Sequence, residues 1–496
     1  MASYGREAKS GFLWGVLGRA TSTIAAIAGT VVLARMLTPH DFGVAATVTF
    51  FITVAQRISN LGFNTALIRV PELRRDHPAT VFAVNVALGV IVGGLLALTA
   101  PWLGAFYRSP EAARAIPVAG LTFALGVLGT VPGALMARQL KFRQLVMIEA
   151  VYGWLVTLSS VVLAFFGLGY WSLVYSLLIG AAWDATVKLI MARWRPELWW
   201  SRAALRELLS FGAGLHLKRL LDSVALNIDN MVIGRTLGLT ALGIYDKAFT
   251  SVNRAVTMVS YAGQTVSLSV LGKMQDDPER FRKAFRRITL GIGIASYPAF
   301  AGLAVVAKPL FLILFGPQWI EAVIPFQVLC VAGALKTYAS YISSAVQAQG
   351  RVWGEVWRQA LYVSLIVGGV TVGSIWGLPG ASIGVLVATV VMTITMCDLL
   401  QKVSALSWAD LIVPHFAALG CGAVVVASVM SERMLYSYVG RPLPVGSQLA
   451  IECGVGAVAA AIYLLTCPFK DVRVLVRETL FDFAPSVGRK LGLSPI

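Results

Sequence analysis

Eight cationic side chains, Arg19, Arg57, Lys188, Lys218, Arg219, Lys247, Arg254 and Lys336, fall inside long apolar stretches of the sequence. At the centre of a bilayer each would cost about 2.5–3.5 kcal/mol even on the gentlest scale, so eight facing lipid would cost on the order of 20 kcal/mol. They must therefore line a hydrated space, pair with acids, or reach back to the membrane surface. Several have acids within helical reach: Asp184 precedes Lys188 by one turn, and Asp222 follows both Lys218 and Arg219. Such pairs share a helix face and can neutralise each other. The arginines as a group fit planar, oxygen-rich anions such as a phosphate or diphosphate, because the guanidinium fork matches that geometry. Asn227, Asn230, Asn253 and Gln264 add donors and acceptors of the kind that meet hydroxyl groups. Glu149, Asp222, Asp229 and Asp246 are carboxylates that either take up a proton or a sodium ion, since acids within a membrane commonly form ion pathways, or serve as counter-charge for the neighbouring cations.

The elements that carry these residues occur twice. Thr30 to Gly43 reads TVVLARMLTPHDFG, and 200 positions later Asn230 to Gly243 reads NMVIGRTLGLTALG. Arg35 meets Arg235, Leu37 meets Leu237, and Gly43 meets Gly243; upstream, Arg19 meets Arg219. Arg57 and Arg254 fall about one helical turn apart in the same register. A fixed-period match over this span means a duplicated structural unit. Cations at related places in both copies point to the pseudo-symmetric interface where transporters hold their substrates.

Composition sets the environment. Of 496 residues, 57% are hydrophobic and only 13% charged, whereas a soluble chain carries about 25% charged residues. About 14 stretches approach the roughly 20 residues needed to cross a bilayer: 12–34, 42–64, 79–100, 113–136, 144–166, 168–191, 209–233, 241–266, 286–308, 320–345, 355–375, 378–401, 409–430 and 446–467. The expected fold is an all-α polytopic membrane protein. Its expected organisation is an N-terminal six-helix lobe over 1–192, an interfacial connector over 193–208, a second six-helix lobe over 209–402, two extra helices over 403–467, and a tail over 468–496. With the N-terminus inside, about 26 Lys and Arg fall on the cytoplasmic side and about 7 outside. Both termini are thus expected in the cytoplasm, and the net charge of +17 is a topology signal rather than a nucleic-acid footprint. The basic, apolar first 36 residues resemble a signal peptide, but the recurrence of the segment in mid-chain makes it a retained helix.

Three segments read as surface helices on an anionic leaflet. They are 276–288, with Asp277 as N-cap and Phe281, Phe285 and Ile288 on one face; 193–209, with Trp194, Trp199 and Trp200; and one after Pro468. Enzyme signatures are weak. Gly380-Ala381-Ser382-Ile383-Gly384 matches GxSxG, but it sits in an apolar run without His and Asp partners, where small residues pack helices closely. No phosphate-loop motif exists, and the five cysteines and four histidines show no metal spacing. Short outer loops leave no room for a catalytic module.

LARMLTPHDFGVAATVTFF followed by NLGFNTALIR resembles the N-terminal signature of bacterial oligosaccharide flippases in the MOP superfamily. Specifically, it is similar to the Wzx-type exporters of the colanic-acid and exopolysaccharide branch. VPGALMARQLKFRQL, FFGLGYWSLV and NIDNMVIGRTLGLTALGIYDKA fit the same family, so the likeness covers about residues 10–400. It implies two six-helix bundles related by a pseudo-two-fold axis, plus two C-terminal helices. It also implies a polyprenyl-diphosphate-linked oligosaccharide as substrate, moved across the inner membrane by alternating access. On that reading the protein is a secondary-active flippase and not an enzyme. Arg19, Arg57, Lys218, Arg219, Asn227, Asn253 and Arg254 would engage the substrate, and Asp222, Asp229 and Asp246 would couple Na+ or H+, with no other cofactor and no metal. Its partners would be the lipid-linked substrate, the bilayer, and a polysaccharide polymerase with its export machinery. A multidrug antiporter of the same superfamily would favour a cavity rich in acids and aromatics, which the excess of Arg argues against. A membrane-embedded polymerase or ligase would need a large outer loop, and a non-transporting scaffold would leave the cations unexplained.

Overall fold

The computed structural model describes residues 21–59, 66–68, 70, 72–209, 221–274, 277–349, 352–404, 406–439, 444–469 and 472–475. Helices are the regular secondary structure among these residues, joined by turns and by the irregular stretch 194–201, with no strand among them. Nine stretches among them are long and apolar enough to cross a membrane, and Thr21–Met36 is a shorter apolar helix. The all-α polytopic expectation holds, while the described residues leave the number of crossings open. Large apolar side chains cover the outside of these helices: Trp102 and Phe165 are 72% and 79% exposed. Contiguous apolar surface of this kind is what a lipid-facing wall requires.

By packing, the chain divides into two compact units, Met1–Asp246 and Lys247–Ile496. The first contains α1 (Thr21–Met36), α2 (Pro39–Ser59), α3 (Asp76–Tyr107), α4 (Pro110–Leu128), α5 (Thr130–Arg138), α6 (Phe142–Phe165), α7 (Tyr170–Ala192), α8 (Arg202–Leu209) and α9 (Ile228–Thr236). Then α10 (Leu239–Gly272) carries the division within its length. The second unit continues with α11 (Pro278–Val305), α12 (Ala307–Leu314), α13 (Val323–Ala348), α14 (Val352–Gly373), α15 (Gly377–Val403), α16 (Trp408–Val439) and α17 (Val445–Thr466).

Local chemistry sets the helix starts. Thr38 and Asp41 form a reciprocal capping box at α2. The Thr38 N–H and hydroxyl donate to Asp41 Oδ2 at 2.9 and 2.7 Å, and the Asp41 N–H donates to Thr38 Oγ1 at 3.3 Å. Pro39 then occupies the first helical position, where a missing N–H costs nothing. Ser109 caps α4 by accepting from the Ala112 N–H at 3.2 Å.

The duplicated motif shows its symmetry at one crossing in the first unit. A Cβ on Gly43 would lie 1.8 Å from the Leu239 carbonyl oxygen, and a Cβ on Gly243 would lie 1.8 Å from the Pro39 carbonyl oxygen. Gly43 and Gly243, like Pro39 and Leu239, are repeat equivalents, so the contact is reciprocal. The starts of α2 and α10 cross backbone on backbone, at a separation only glycine allows.

Two expectations need correction. Of the surface helix expected over 276–288, Asp276 lies outside the described residues and the rest is not separate: α11 runs unbroken from Pro278 to Val305. Asp277 does cap it, accepting from the Arg280 N–H at 3.1 Å. The face carrying Phe281 and Phe285 is turned inward, 3% and 0% exposed, against Tyr341 and Leu400. Helical periodicity identified the apolar face, but a protein core rather than lipid covers it. The span expected over 209–233 is also discontinuous. Residues 221–225 are helical, Leu226 and Asn227 form a turn, and α9 starts at Ile228.

The connector is tethered rather than loose. Arg75 binds Glu197 at 2.8 Å, Arg74 binds Glu207 at 3.1 Å, and the Ser201 N–H donates to Thr80 Oγ1 at 3.0 Å. Trp194 stacks edge-on against Phe82, whereas Trp199 and Trp200 stay exposed.

The reciprocal crossing makes a prediction. Gly43→Ala and Gly243→Ala should each lower thermal stability of the detergent-solubilised protein, by about 1–3 kcal/mol, because a carbonyl must move. The double variant should cost less than the sum, since one added methyl opens the gap the other needs. Additive losses in a melting series would rule out the reciprocal contact.

Candidate functional site

The break at Asn227 lies amid the most polar sequence of the duplicated motif. Asn227 bends back so that its Nδ2 donates to the Ser223 carbonyl at 2.9 Å, taking up a carbonyl that a continuous helix would have bonded internally. The first copy has Ile27 at this position and α1 runs unbroken past it. The two copies therefore differ in backbone geometry at this position.

Below the break, α9 and the start of α10 hold a buried network. The carboxylate of Asp229, 1% exposed, accepts from the Tyr245 hydroxyl at 2.6 Å and from the Asn230 N–H at 2.9 Å. Asn230, 4% exposed, donates from Nδ2 to Asp246 Oδ1 at 3.2 Å, while its Oδ1 is buried with no hydrogen-bond partner. Two carboxylates thus sit on either side of one asparagine. The turn from α9 to α10 passes through Gly238, whose φ of +90° favours glycine. Arg235, the repeat partner of Arg35, donates to the Phe106 carbonyl at 2.8 Å and lies 5.3 Å from the centre of its ring.

Within the second unit, Lys247 is buried and its ammonium lies 5.4 and 5.1 Å from the ring centres of Phe315 and Trp319. Lys336 lies 5.4 Å from the ring of Phe249. Aromatic faces thus cushion two of the intramembrane cations, through the attraction between a cation and a ring quadrupole. A third, Lys188, pairs with Asp184 at 2.8 Å within the first unit, as their spacing implied.

The expected site residues fare unevenly. Asp229 and Asp246 are brought together through Asn230, and Asn227 makes the helix break. Asp222 is half-buried one turn before the break. Asn253 and Arg254 follow on α10 in the second unit, half-buried and exposed. Arg57 falls in the last turn of α2, while Arg19, Lys218 and Arg219 lie outside the described residues. Tyr245, which holds Asp229, was missed because a tyrosine in an apolar run reads as core. Its only sequence signal is the spacing to Asp229 across a tight turn. Ser382 of the GxSxG match lies inside α15, fully buried, its hydroxyl donating to the Leu378 carbonyl at 2.9 Å. This is an ordinary helical serine, not a nucleophile on a strand-to-helix turn. Gly380 and Gly384 press backbone-close on Gly373 and Gly369 of α14, which is the packing role expected of them.

Lipid-facing helices, a discontinuous intramembrane segment and a buried acid–amide network define a polytopic membrane protein of the transporter type. A family model described as polysaccharide biosynthesis protein matches residues 32–324, more than half of the sequence, and the chain belongs to that family. It is 26% identical over 401 residues to the lipopolysaccharide biosynthesis protein WzxC of Escherichia coli (strain K12), covering 78% of this chain and 79% of that one. It is likewise 26% identical over 370 residues to the succinoglycan biosynthesis transport protein ExoT of Rhizobium meliloti (strain 1021), covering 73% and 74%. Among solved structures, the inward closed conformation of the lipid II flippase MurJ superposes with a TM-score of 0.71 at 12% identity, covering 92% of this chain and 98% of that one. An inward-facing multidrug transporter of the MOP superfamily gives 0.60 at 17% identity, covering 77% and 95%. At such identities these two likenesses establish the fold, and the family resemblance read from the motifs holds.

The network is testable by itself. Tyr245→Phe removes one donor from a buried carboxylate and should destabilise the protein by about 1–3 kcal/mol. Asp229→Asn combined with Tyr245→Phe should recover part of that loss, because the charge that needed the donor is gone. Thermal unfolding of the purified variants reads both, and an unchanged melting temperature in Tyr245→Phe would show the bond carries no weight.

Proposed function

We propose that this chain is a secondary-active flippase that carries polyprenyl-diphosphate-linked oligosaccharide units across the bacterial inner membrane for polysaccharide export. The observation that carries the proposal is the helix break at Asn227 with the acid–amide network beside it. Discontinuous intramembrane helices commonly line the substrate and ion sites of transporters, where non-helical backbone at membrane depth is tolerated. Family membership and relatives named for polysaccharide biosynthesis and transport support the substrate class.

In this mechanism two lobes, 1–192 and 209–402, joined by the 193–208 connector, alternate in opening to either side; the division by packing, at Asp246 and Lys247, falls within the second of these spans. Arg19, Arg57, Lys218, Arg219 and Arg254 meet the diphosphate or acidic sugars, whose charge they complement. Asn227 and Asn253 meet sugar hydroxyls. The lipid tail stays in the bilayer, so only the headgroup has to be hidden. Asp222 and Asp246, half-buried, exchange a proton or sodium ion with water, and Asp229 supports Asp246 through Asn230. No covalent step is required of the protein. Both termini face the cytoplasm, on the strength of the Lys and Arg distribution, and a polymerase consumes the delivered units.

Charge reversal of Arg57 and Arg254 in a polymer-export strain, with expression matched to the unaltered protein, should abolish or strongly reduce surface polysaccharide. Undiminished polymer would remove these residues from the mechanism. A reporter active only outside the cytoplasm should be silent when fused to the C-terminus and active when inserted at 440–443; the reverse pattern would invert the assigned topology.

A further inference from the structure

At one end of the first unit, three turns meet around an aromatic ladder that the transport mechanism does not use. Tyr170, Trp171 and Tyr175 lie at the start of α7. The Trp171 ring stacks on Tyr175 at 5.0 Å between centres and 16° between planes, and Tyr170 follows at 5.1 Å and 31°. All three are half-buried. Aromatic residues at the end of a membrane helix commonly face lipid as an interfacial belt. Phe165 and Phe166, just before the ladder, are placed that way at 79% and 72% exposed. The ladder itself is turned toward polar side chains.

Those side chains come from the α1–α2 and α3–α4 turns. Tyr170 interacts electrostatically with Arg114, Glu111 and Asp41, and Glu111 does so with His40 and Arg114. A Cβ on Gly169 would lie 3.0 Å from Asp41 Oδ1, and the φ of +55° there favours glycine, so the carboxylate rests against the backbone that starts the ladder. Both carboxylates are held from their own turns. Thr38 donates its N–H and hydroxyl to Asp41 Oδ2, and the Ser109 hydroxyl donates to Glu111 Oε2 at 2.7 Å. An aromatic face is thereby bordered by two positioned acceptors and a guanidinium donor, each half-buried or exposed.

We infer that this surface binds a saccharide ring, its C–H face on Tyr170 and its hydroxyls on Asp41, Glu111 and Arg114. A pyranose carries weakly positive C–H bonds on one face and hydroxyls around its edge, which complements a negative aromatic face bordered by acceptors and a donor. An acyl chain would desolvate the carboxylates, and a phosphate would meet two acids. The inference rests on the flippase reading for its side of the membrane: on that topology the three turns are extracytoplasmic. The surface then receives the sugar portion of the substrate after its crossing, through residues other than the cations assigned to the diphosphate.

The test uses the full-length protein in phosphatidylcholine nanodiscs, which avoid sugar-bearing detergents. Saturation-transfer NMR is read from three soluble probes: cellobiose, glucuronic acid and the acyclic polyol sorbitol. At least one of the two sugars should receive transfer at its ring C–H protons, whereas sorbitol, with hydroxyls but no ring face, should not. Tyr170→Leu, apolar but without a ring, should weaken that binding about tenfold, near the weight of one aromatic contact. Arg114→Gln should also weaken it, while Phe166→Ala, which removes a lipid-facing ring nearby, should leave it intact. If Tyr170→Leu does not fold, Arg114→Gln alone is measured against Phe166→Ala. Absence of transfer to both sugars, equal transfer to sorbitol, or equal loss in the ladder and control variants would overturn the proposal. Polymer export enters none of these readouts, so failure here and failure of the flippase reading are told apart by the surface-polysaccharide measurement.

Discussion

The first unit depends on two helices approaching until carbonyl oxygens occupy the space of a missing methyl. At Gly43 and Gly243 the contact is made twice, each glycine against the backbone four residues before the other. Close approach of this kind gains dispersion and weak C–H···O contacts in an environment where lipid offers no hydrophobic drive for helix association. It also fixes where α2 and α10 begin relative to each other, and so the position of Tyr245 and Asp246 near the start of α10, which meet Asp229 and Asn230 of α9. The polar network is thus set by a packing constraint one turn away.

That network is costly to bury and is tolerated because almost every group in it has a partner. Asp229 has two donors, and Asn230 bridges to Asp246. One acceptor, Asn230 Oδ1, is left over. In a buried network an acceptor without a protein partner is a place for a water or a ligand hydroxyl, and this one adjoins the carboxylate of Asp246. Among the described residues the helix is interrupted at Asn227 in the second copy and continuous at the equivalent Ile27 in the first.

Much of this was legible in the residues. The match of Gly43 with Gly243 in register flagged the two glycines, but that each lies against the backbone of the other's helix was visible only in the structure. Apolar stretch lengths located most helices, since hydrocarbon thickness dictates them. Helix continuity was not legible. Phe281, Phe285 and Ile288 keep the same period on a surface helix as in the first turns of a long one, so the periodicity could not say where α11 ends. The break at Asn227 was hidden for the opposite reason: asparagine inside a span reads simply as a polar lining residue. Partners far apart in sequence were invisible too. Arg433 falls at the edge of an expected loop and Glu452 deep in a span, yet Arg433 grips Glu452 at 2.7 and 2.8 Å.

That grip reaches a third helix. The same guanidinium donates to the carbonyl of Val305, the last residue of α11, at 2.7 Å, while Gln448 steadies Glu452 at 2.8 Å. α16 and α17 are therefore fastened to the end of α11 by a fork whose acid is wholly enclosed. Whatever tilts α11 must take both of its companions along as a single block, or else strand a carboxylate in oil. The two helices beyond the duplicated core are in this sense ballast bolted to one strut rather than outriggers free to swing.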